Sequence, residues 1–269
     1  MIGPGDSAPA VIVLAAGIGS RLGRLVVKRP KWMLDLAPDA PLARHHLRAI
    51  NGALEAGAPC VAVAGHASEA LRAFLVSEGA GGIDVAVNPR YASWNNWYSL
   101  LVGLRRLDEL GWAGPVIVLN ADLYCPEEWL ADVAAGITHR PPPEVLLAID
   151  VGRPLTDEAM KVEFDGSRRV TAIGKVGLAR PAGEYIGLAA LSSAGRAAVA
   201  GILQTFAADG RTDEWYEAGL QQAMDSGLRV EAWTTPHSDW VEIDDADDHA
   251  AAQDLYERRR RGAEAGGCR

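Results

Sequence analysis

Two glycines and two cations follow a short apolar segment near the start of the chain. Residues 11–14 (VIVL) form a β-branched, apolar run that is typical of a parallel strand buried on both faces. Gly17 and Gly19 follow directly, and their missing side chains let the backbone turn sharply and bring its N–H groups close to an anion. Arg21 and Lys31 supply positive charge nearby. The pattern predicts a phosphate-binding turn suited to a triphosphate.

A dinucleotide-binding loop is the main alternative for this segment. That fingerprint needs a third glycine three residues after the second, where this chain has Leu22, and Gly23 is one residue out of step. It also needs a later acid for a ribose, whereas two cations follow here. A glycine turn with a purely structural role is the remaining alternative.

The segment L-A-A-G-x-G-S-R-L, followed by Pro30-Lys31, resembles the signature of nucleotidyltransferases that activate sugar phosphates and small alcohol phosphates. The resemblance implies that the loop and its arginine hold the nucleoside triphosphate and that the lysine contacts the phosphates during transfer. These roles fall on Gly17, Gly19, Ser20, Arg21 and Lys31. Sugar-type enzymes have a proline and a threonine between the arginine and the lysine, where this chain has Arg24 and Val26. The departure weakens a sugar-phosphate assignment.

Residues 88–100 (NPRYASWNNWYSL) resemble the bacterial choline-phosphate type of cytidylyltransferase more than the sugar type. This resemblance implies CTP as the nucleotide. Backbone and polar groups that could read the base, together with the loop, are Ala15, Ala16, Gly17, Gly65, Asn96 and Ser99. A plainer interpretation is that Asn-Pro makes a turn and Asn95 caps the following helix.

The composition excludes several classes of protein. The 269 residues, 49% of them hydrophobic, can bury a sizeable core, and a net charge of −9 argues against nucleic acid as a partner. Cys60, Cys125 and Cys268 form no C-x-x-C pair, which argues against a disulfide framework or a zinc site. Neither a signal peptide nor a membrane-spanning run is evident, so a cytoplasmic location is expected.

The chain alternates apolar strands with helices. Predicted strands at residues 61–64, 83–87 and 116–119 each follow a segment with helical periodicity. Three such crossovers predict an α/β fold with a doubly wound, mostly parallel, Rossmann-like sheet, whose ligands lie beyond the carboxyl ends of the strands. Residues 160–164 and 170–175 predict an antiparallel hairpin, interpreted as a lid over the site.

We interpret residues 1–269 as a single domain with three portions. They are a nucleotide-binding core (10–150), an acceptor-binding and lid portion that carries the second metal ligand (151–245), and a C-terminal helix and tail (246–269).

Two aspartates are predicted to hold Mg²⁺, which prefers one or two carboxylates with phosphate oxygens and water. Asp122 follows the apolar run PVIVLNA, and WVEID supplies Asp244 from a later strand. The resemblance gives Asp122 a catalytic role beside Arg21 and Lys31. The alternative for each aspartate is a helix N-cap. Asp245 and Asp247 leave the register of the second ligand open.

Residues of the later portion are candidates for binding the acceptor. Lys161 and Lys175 on the hairpin could hold an anionic group, although lysine is common on solvated strand edges. Tyr185 resembles part of the acceptor-side strand of the family. Tryptophans beside Glu217 or Glu242 could enclose a quaternary ammonium, or could simply be core residues. Without such a cage, an aminoalkyl or a carboxyl phosphonate is an equally sensible acceptor.

The sequence thus predicts a magnesium-dependent cytidylyltransferase that transfers CMP from CTP to a small phosphate or phosphonate and releases pyrophosphate. A sugar-1-phosphate nucleotidyltransferase and a nucleotide-sensing module without catalysis are the alternatives. Intact Arg21, Lys31, Asp122 and Asp244 argue against a loss of catalysis. Beyond the substrates, a homodimer is left open, and neither nucleic acid nor a membrane is expected as a partner.

Overall fold

The computed structural model describes residues 9–55, 57–138 and 141–266. Cys268 and the N-terminal residues 1–8 lie outside this part of the chain. The strands are β1 (Ala10–Ala15), β2 (Asp35–Ala37), β3 (Ala40–Pro41), β4 (Cys60–Ala64), β5 (Asp84–Val87), β6 (Val116–Asn120), β7 (Leu123–Tyr124), β8 (Val145–Asp150), β9 (Lys161–Phe164), β10 (Val170–Gly174), β11 (Gly183–Leu191), β12 (Val230–Thr234) and β13 (Val241–Glu242). The helices are α1 (Leu42–Ala53), α2 (Ser68–Ser77), α3 (Asn96–Glu109), α4 (Glu128–Thr138), α5 (Ser193–Ala208), α6 (Tyr216–Asp225) and α7 (Ala246–Gly266).

Nine of the strands within the described residues form one twisted sheet with a mostly parallel centre. β5, β4, β1 and β6 lie side by side in parallel, and β11 pairs antiparallel with β6 and with β8. β12 pairs in parallel with β8. The doubly wound α/β fold predicted from the sequence is confirmed.

The sheet is covered on both faces because its strands are apolar on both faces. Alternate residues of β1 point to opposite layers: Val11 and Val13 join the core beneath α1, α2, α4 and α7, whereas Ala10 and Ile12 join the core beneath α3, α5 and α6. All four side chains are fully buried. A strand that is buried on both faces leaves its carboxyl end as the place where polar groups can reach solvent.

The predicted hairpin is present as β9 and β10, which pair antiparallel around Asp165-Gly166-Ser167. It is joined to the main sheet, because Gly183 and Glu184 of β11 pair with β9. The sheet therefore runs through both the predicted nucleotide-binding and the predicted acceptor-binding portions. The hairpin lies at the edge of the sheet, beside the start of β11.

Two element bounds differ from the sequence-based expectation. The sequence predicts a helix over residues 212–224, whereas α6 begins at Tyr216. Trp215 is extended, and the Tyr216 N–H donates to Asn96 Oδ1 at 2.9 Å. The sequence predicts that the last helix ends at the four arginines of residues 258–261, whereas α7 continues to Gly266. In the described part of the chain, no helix is long and apolar enough to cross a membrane.

Gly187 should be required for the irregular middle of β11. Its φ of +85° lies in the left-handed region, and a Cβ there would lie 2.6 Å from Asn120 Nδ2. We expect Gly187→Ala to lower the free energy of unfolding by about 1–3 kcal/mol, measured by urea denaturation. Gly166→Ala is the matched control, because a Cβ there meets nothing within 4 Å. Equal stability of the two variants would contradict this reading of β11.

Candidate functional site

A cavity of about 390 Å³ lies at the carboxyl ends of β1 and β6. Most of the predicted site residues line it, namely Ala15, Ala16, Gly17, Gly19, Ser20, Arg21, Lys31, Asn96, Ser99, Asp122, Lys175, Tyr185, Glu242 and Asp244. They come from loops, helices and strands that are far apart in the sequence. Two predicted residues, Gly65 and Lys161, do not contribute to the lining.

The glycine-rich turn begins where β1 ends. A side chain on Gly17 would meet nothing within 4 Å, so the backbone there faces open space. Gly19 has a φ of 66°, which glycine adopts without strain. The 3₁₀ segment Ser20–Val26 follows and carries Arg21, whose Nη2 lies 2.7 Å from Asp244 Oδ2. The turn thus presents open backbone and an exposed cation to the cavity.

Lys31 joins two carboxylates from distant parts of the chain. Its Nζ donates to Asp122 Oδ2 and to Asp244 Oδ1, both at 2.8 Å. Burial alone would lower the pKa of the ammonium, but the two carboxylates outweigh burial and raise it. Burial likewise opposes ionisation of Asp244, and the charges of Lys31 and Arg21 lower its pKa all the same. The Lys31–Asp244 pair is therefore charged on both sides at neutral pH.

The short pairing of β7 with β13 explains why the two aspartates meet. Leu123 pairs with Glu242, and the Ile243 N–H donates to the Asp122 carbonyl at 2.9 Å. These bonds place Asp244 beside Asp122. Asp245 faces away, because its Oδ1 accepts the N–H groups of Asp247 and Asp248 at the start of α7. The geometry thus favours Asp244 over Asp245 as the second acid of the site.

Glu242 completes a group of three acids. One carboxylate oxygen from each of Asp122, Glu242 and Asp244 lies within 4.8 Å of the others. Glu242 is exposed to the cavity, and desolvation by the surrounding walls together with the two neighbouring carboxylates raises its pKa. Asp122 Oδ1 is buried and has no hydrogen-bond partner among the described residues. Oxygen donors of this kind suit a hard divalent cation, and the sequence had placed Glu242 only on the acceptor side.

The predicted base-reading residues are held by a polar network at the start of α3. Asn88 Nδ2 donates to Ser99 Oγ at 2.9 Å, and both side chains are buried. The Ser99 hydroxyl hydrogen stays available to a ligand. Asn96 Oδ1 accepts the Tyr216 N–H, which couples α3 to α6. Asn95 caps α3, as its side chain accepts the Asn96 N–H at 2.8 Å.

The part of the cavity lined by β11 and α6 is acidic and aromatic. Glu217 is 5% exposed, and its Oε2 has no hydrogen-bond partner in the described part of the chain. Burial raises the pKa of this carboxyl to about 7. Trp94 and Trp215 line the same cavity. Lys175 lies 5.1 Å above the Trp215 ring, and its ammonium pairs with Glu158 at 3.0 Å.

Three predicted residues have other partners in the structure. Lys161 Nζ donates to the Lys175 carbonyl at 2.9 Å and to two further carbonyls, so it ties the hairpin to the segment before β9. A Cβ on Gly65 would lie 2.5 Å from Tyr91 Cβ, which assigns Gly65 a packing role. The Tyr185 hydroxyl is bonded to that of Tyr216 at 2.7 Å. Tyr185 therefore presents mainly its ring to the cavity.

Sequence reasoning missed some residues of the lining. Glu158 lies in the irregular segment before β9, and Glu184 lies near the start of β11. Asn120, the last residue of β6, accepts a hydrogen bond from the Tyr216 hydroxyl. No sequence spacing marks these residues, because their position at the cavity depends on how β11 pairs with β6. An acid directly before or inside a strand next to the proposed lid is the one signal that could have found Glu158 and Glu184.

The mostly parallel sheet with a glycine-rich turn after its first strand is the nucleotidyltransferase fold. The sequence profile of the MobA-like NTP transferase domain matches residues 11–223, and the chain belongs to this family. The resemblance recognised in the sequence is confirmed.

Relatives within this fold include enzymes named for CTP chemistry. CMP-5'-(3-aminopropyl)phosphonate synthase of Streptomyces rubellomurinus is 32% identical over 163 residues, which is 60% of this chain and 24% of that protein. The match thus spans about a quarter of that relative's length.

Two solved structures share the fold across nearly the whole chain. CTP:phosphocholine cytidylyltransferase from Streptococcus pneumoniae has a TM-score of 0.71 at 17% identity, covering 93% of this chain and 99% of that one. The inositol-1-phosphate CTP transferase from T. maritima has a TM-score of 0.74 at 19% identity, covering 93% and 95%. At these identities the likeness concerns the fold alone.

Glu217 should make the stability of the protein depend on pH. The fold raises its carboxyl pKa from 4.5 to about 7, so the folded protein holds a proton that the unfolded chain has released. Stability from this residue is therefore lost as pH rises between about 4.5 and 7. Glu217→Gln does not titrate, so its free energy of unfolding relative to wild type should rise by about 3 kcal/mol from pH 5 to pH 8 in urea denaturation.

Glu69→Gln, at an exposed position, should leave the pH dependence unchanged. A pH-independent difference at Glu217 would contradict the assignment.

Proposed function

We propose that the protein is a magnesium-dependent cytidylyltransferase that transfers CMP from CTP to a small phosphate or phosphonate bearing a cationic group. The observation that carries this proposal is the position of Lys31. Its ammonium lies between Asp122 and Asp244, and its side chain lies beside the glycine-rich turn. The same cavity contains the buried Glu217, whose Oε2 has no hydrogen-bond partner among the described residues. A triphosphate site and a cation site in one cavity fit an acceptor that is anionic at one end and cationic at the other.

Transfer needs no covalent intermediate on the protein. An oxygen of the acceptor phosphate attacks the α-phosphorus, and the bond from that phosphorus to the bridging oxygen breaks. Pyrophosphate leaves with the electron pair of that bond. The attacking oxygen is already ionised near neutral pH, so no protein base is required. Arg21 and Lys31 offset the charge that grows on the leaving pyrophosphate.

Asp122, Asp244 and Glu242 are the residues that would hold Mg²⁺. Their oxygen donors suit this ion, and the buried, unpartnered Asp122 Oδ1 supplies a lone pair that no described residue uses. When bound, the metal would supply positive charge that offsets part of the charge of the phosphates. Before the nucleotide arrives, Lys31 and Arg21 compensate the carboxylates.

The choice of CTP is supported by the relatives whose names include CMP or CTP. Cytosine offers one carbonyl acceptor and one amino donor toward its neighbours. The Ser99 hydroxyl can donate to such a carbonyl, because Ser99 Oγ already accepts from Asn88. Backbone groups near Ala15 and Gly17 line the same cavity and can serve the amino group.

A cationic acceptor is favoured over a carboxyl phosphonate by the charges around the cavity. Glu158, Glu184 and Glu217 all line its acceptor part. Lys161, which could have answered a carboxylate, donates to three backbone carbonyls instead. A buried carboxylate without a partner is costly unless a cation reaches it. The aminopropyl and choline groups in the names of the relatives fit this requirement.

Pyrophosphate release with a panel of nucleotides and acceptors tests the proposed function. We expect release with CTP and an aminoalkyl phosphonate or phosphocholine, and little with UTP, GTP or glucose 1-phosphate. Lys31→Ala should lower kcat about 10²- to 10³-fold, because it removes the charge that stabilises the leaving group. Release only with a sugar 1-phosphate would favour the sugar-type enzyme, and release with no pair would favour a nucleotide-sensing module.

Arg105→Ala controls for the loss of a positive charge. Arg105 is an exposed residue of α3 outside the cavity lining, so its kcat should stay within about threefold of wild type. Thermal unfolding of both variants separates loss of catalysis from loss of folded protein. Wild-type turnover in folded Lys31→Ala protein would overturn the role given to Lys31.

Glu217 should determine whether an acceptor with a cationic group is preferred over one without it. With Glu217→Gln, kcat/KM for an aminoalkyl phosphonate should fall about 10- to 100-fold, because a charged hydrogen bond of about 1.5–3 kcal/mol is lost. For propyl phosphonate, whose alkyl end carries no charge, it should change less than threefold. The wild-type preference for the amine should grow from pH 6 to pH 8, because Glu217 ionises near pH 7.

Glu158→Gln is the comparison for Glu217→Gln. Glu158 also lines the cavity, but it is exposed and paired with Lys175, so its loss should change the preference much less. A preference for the amine that survives Glu217→Gln would place the cation elsewhere.

A further inference from the structure

A buried bridge of hydrogen bonds joins the residues next to Lys31 and Asp122. Trp32 Nε1 donates to His46 Nδ1 at 2.8 Å, and His46 Nε2 donates to the Leu123 carbonyl at 2.7 Å. Trp32 follows Lys31 in the chain, and Leu123 follows Asp122. One imidazole of α1 therefore joins the indole of Trp32 to the backbone of Leu123, the chain neighbours of the two charged residues.

The bridge is closed to water and fixes the state of the ring. Trp32 and Leu123 are fully buried, and His46 is 2% exposed. An indole N–H can only donate and a carbonyl can only accept, so the imidazole must accept at Nδ1 and donate from Nε2. Burial lowers the pKa of His46 to about 3, with a further contribution from His45. The ring is therefore neutral, and its available role is to orient its two partners.

We propose that His46 is a positioning residue of the transfer site, which fixes the separation of Lys31 and Asp122 by joining Trp32 to Leu123. This inference rests on the proposed function. The direct ion pair cannot hold the two groups throughout the reaction, because triphosphate oxygens compete for Lys31. The imidazole bridge is made by buried groups outside that competition, so it preserves the geometry while Lys31 changes partners.

His45 provides a matched comparison on the same turn of α1. It is also buried, and its Nε2 bonds to the Cys125 carbonyl at 2.7 Å. Neither chain neighbour of Cys125 lines the cavity. A general need for buried histidine–carbonyl bonds predicts equal effects at His45 and His46, whereas positioning predicts an effect on turnover at His46 alone.

The test compares His46→Phe, His46→Gln and His45→Phe in the full chain. His46→Phe removes both hydrogen bonds and should lower kcat about 100-fold with KM for CTP changed less than threefold, since misplacement by about 1 Å has an effect of this size. His46→Gln offers one acceptor and one donor and should recover kcat to within about fivefold of wild type. His45→Phe should stay within about threefold. If His46→Phe does not fold, His46→Asn replaces it, because the shorter amide reaches only one partner.

A spectroscopic readout separates failure of this inference from failure of the proposed function. The Lys31 ammonium resonance, assigned with Lys31→Ala, should persist in wild type, His46→Gln and His45→Phe and broaden in His46→Phe as the pair with Asp122 loosens. If the wild type turns over no substrate but the resonances behave in this way, the proposed function fails and the bridge stands. If His46→Phe changes neither kcat nor the resonance, or if His45→Phe changes them equally, the positioning role is wrong.

Discussion

The site depends on one ionic interaction, in which the Lys31 ammonium lies between Asp122 and Asp244. Its three members follow β1, β6 and β13, so no local segment can form it. Removing one member of this partly buried ionic group leaves charge without compensation, which destabilises the folded protein. The parallel order of β1 and β6 and the pairing of β7 with β13 must therefore be accurate before the charges can meet. The charged group therefore depends on these two strand pairings at the end of the sheet that carries the site.

Layers behind the charged group keep the strand ends rigid. Val11 and Val13 point into one core and Ile12 into the other, so β1 is held from both sides. Gly103 of α3 lets the helix lie close to the sheet, because a Cβ there would be 2.7 Å from Ile12 Cγ2. Polar groups then appear only where the strands end. A rigid scaffold with polar strand ends is the arrangement that precise positioning of a ligand requires.

The sequence was informative where function depends on consecutive residues. The strand, the glycines, Arg21 and Lys31 lie within one segment, and Asp122 follows an apolar run that can only be a buried strand, so these were predicted. Glu242 was assigned only to the acceptor, because its approach to Asp122 arises from a two-residue pairing with no sequence signal. The surroundings of Lys161 could not be predicted for a related reason. Whether a strand lysine faces a cavity or its own hairpin depends on the twist of the edge, and here it bonds to carbonyls of the hairpin segment.

Asp244 and Glu217 are two carboxyl groups of the cavity that differ in their ionisation. Despite burial, Lys31 and Arg21 lower the pKa of Asp244, whereas burial raises the pKa of Glu217 to about 7. In the proposed reaction Asp244 faces charges present in every cycle, those of the metal and the triphosphate. Glu217 meets a charge that only the acceptor brings. An entering ammonium lowers the pKa of such a carboxyl and stabilises its ionised form. An acceptor without a cationic group leaves the carboxyl protonated, or ionised but poorly solvated. In this proposal, selection of the acceptor follows from the energy of ionising the buried Glu217 carboxyl.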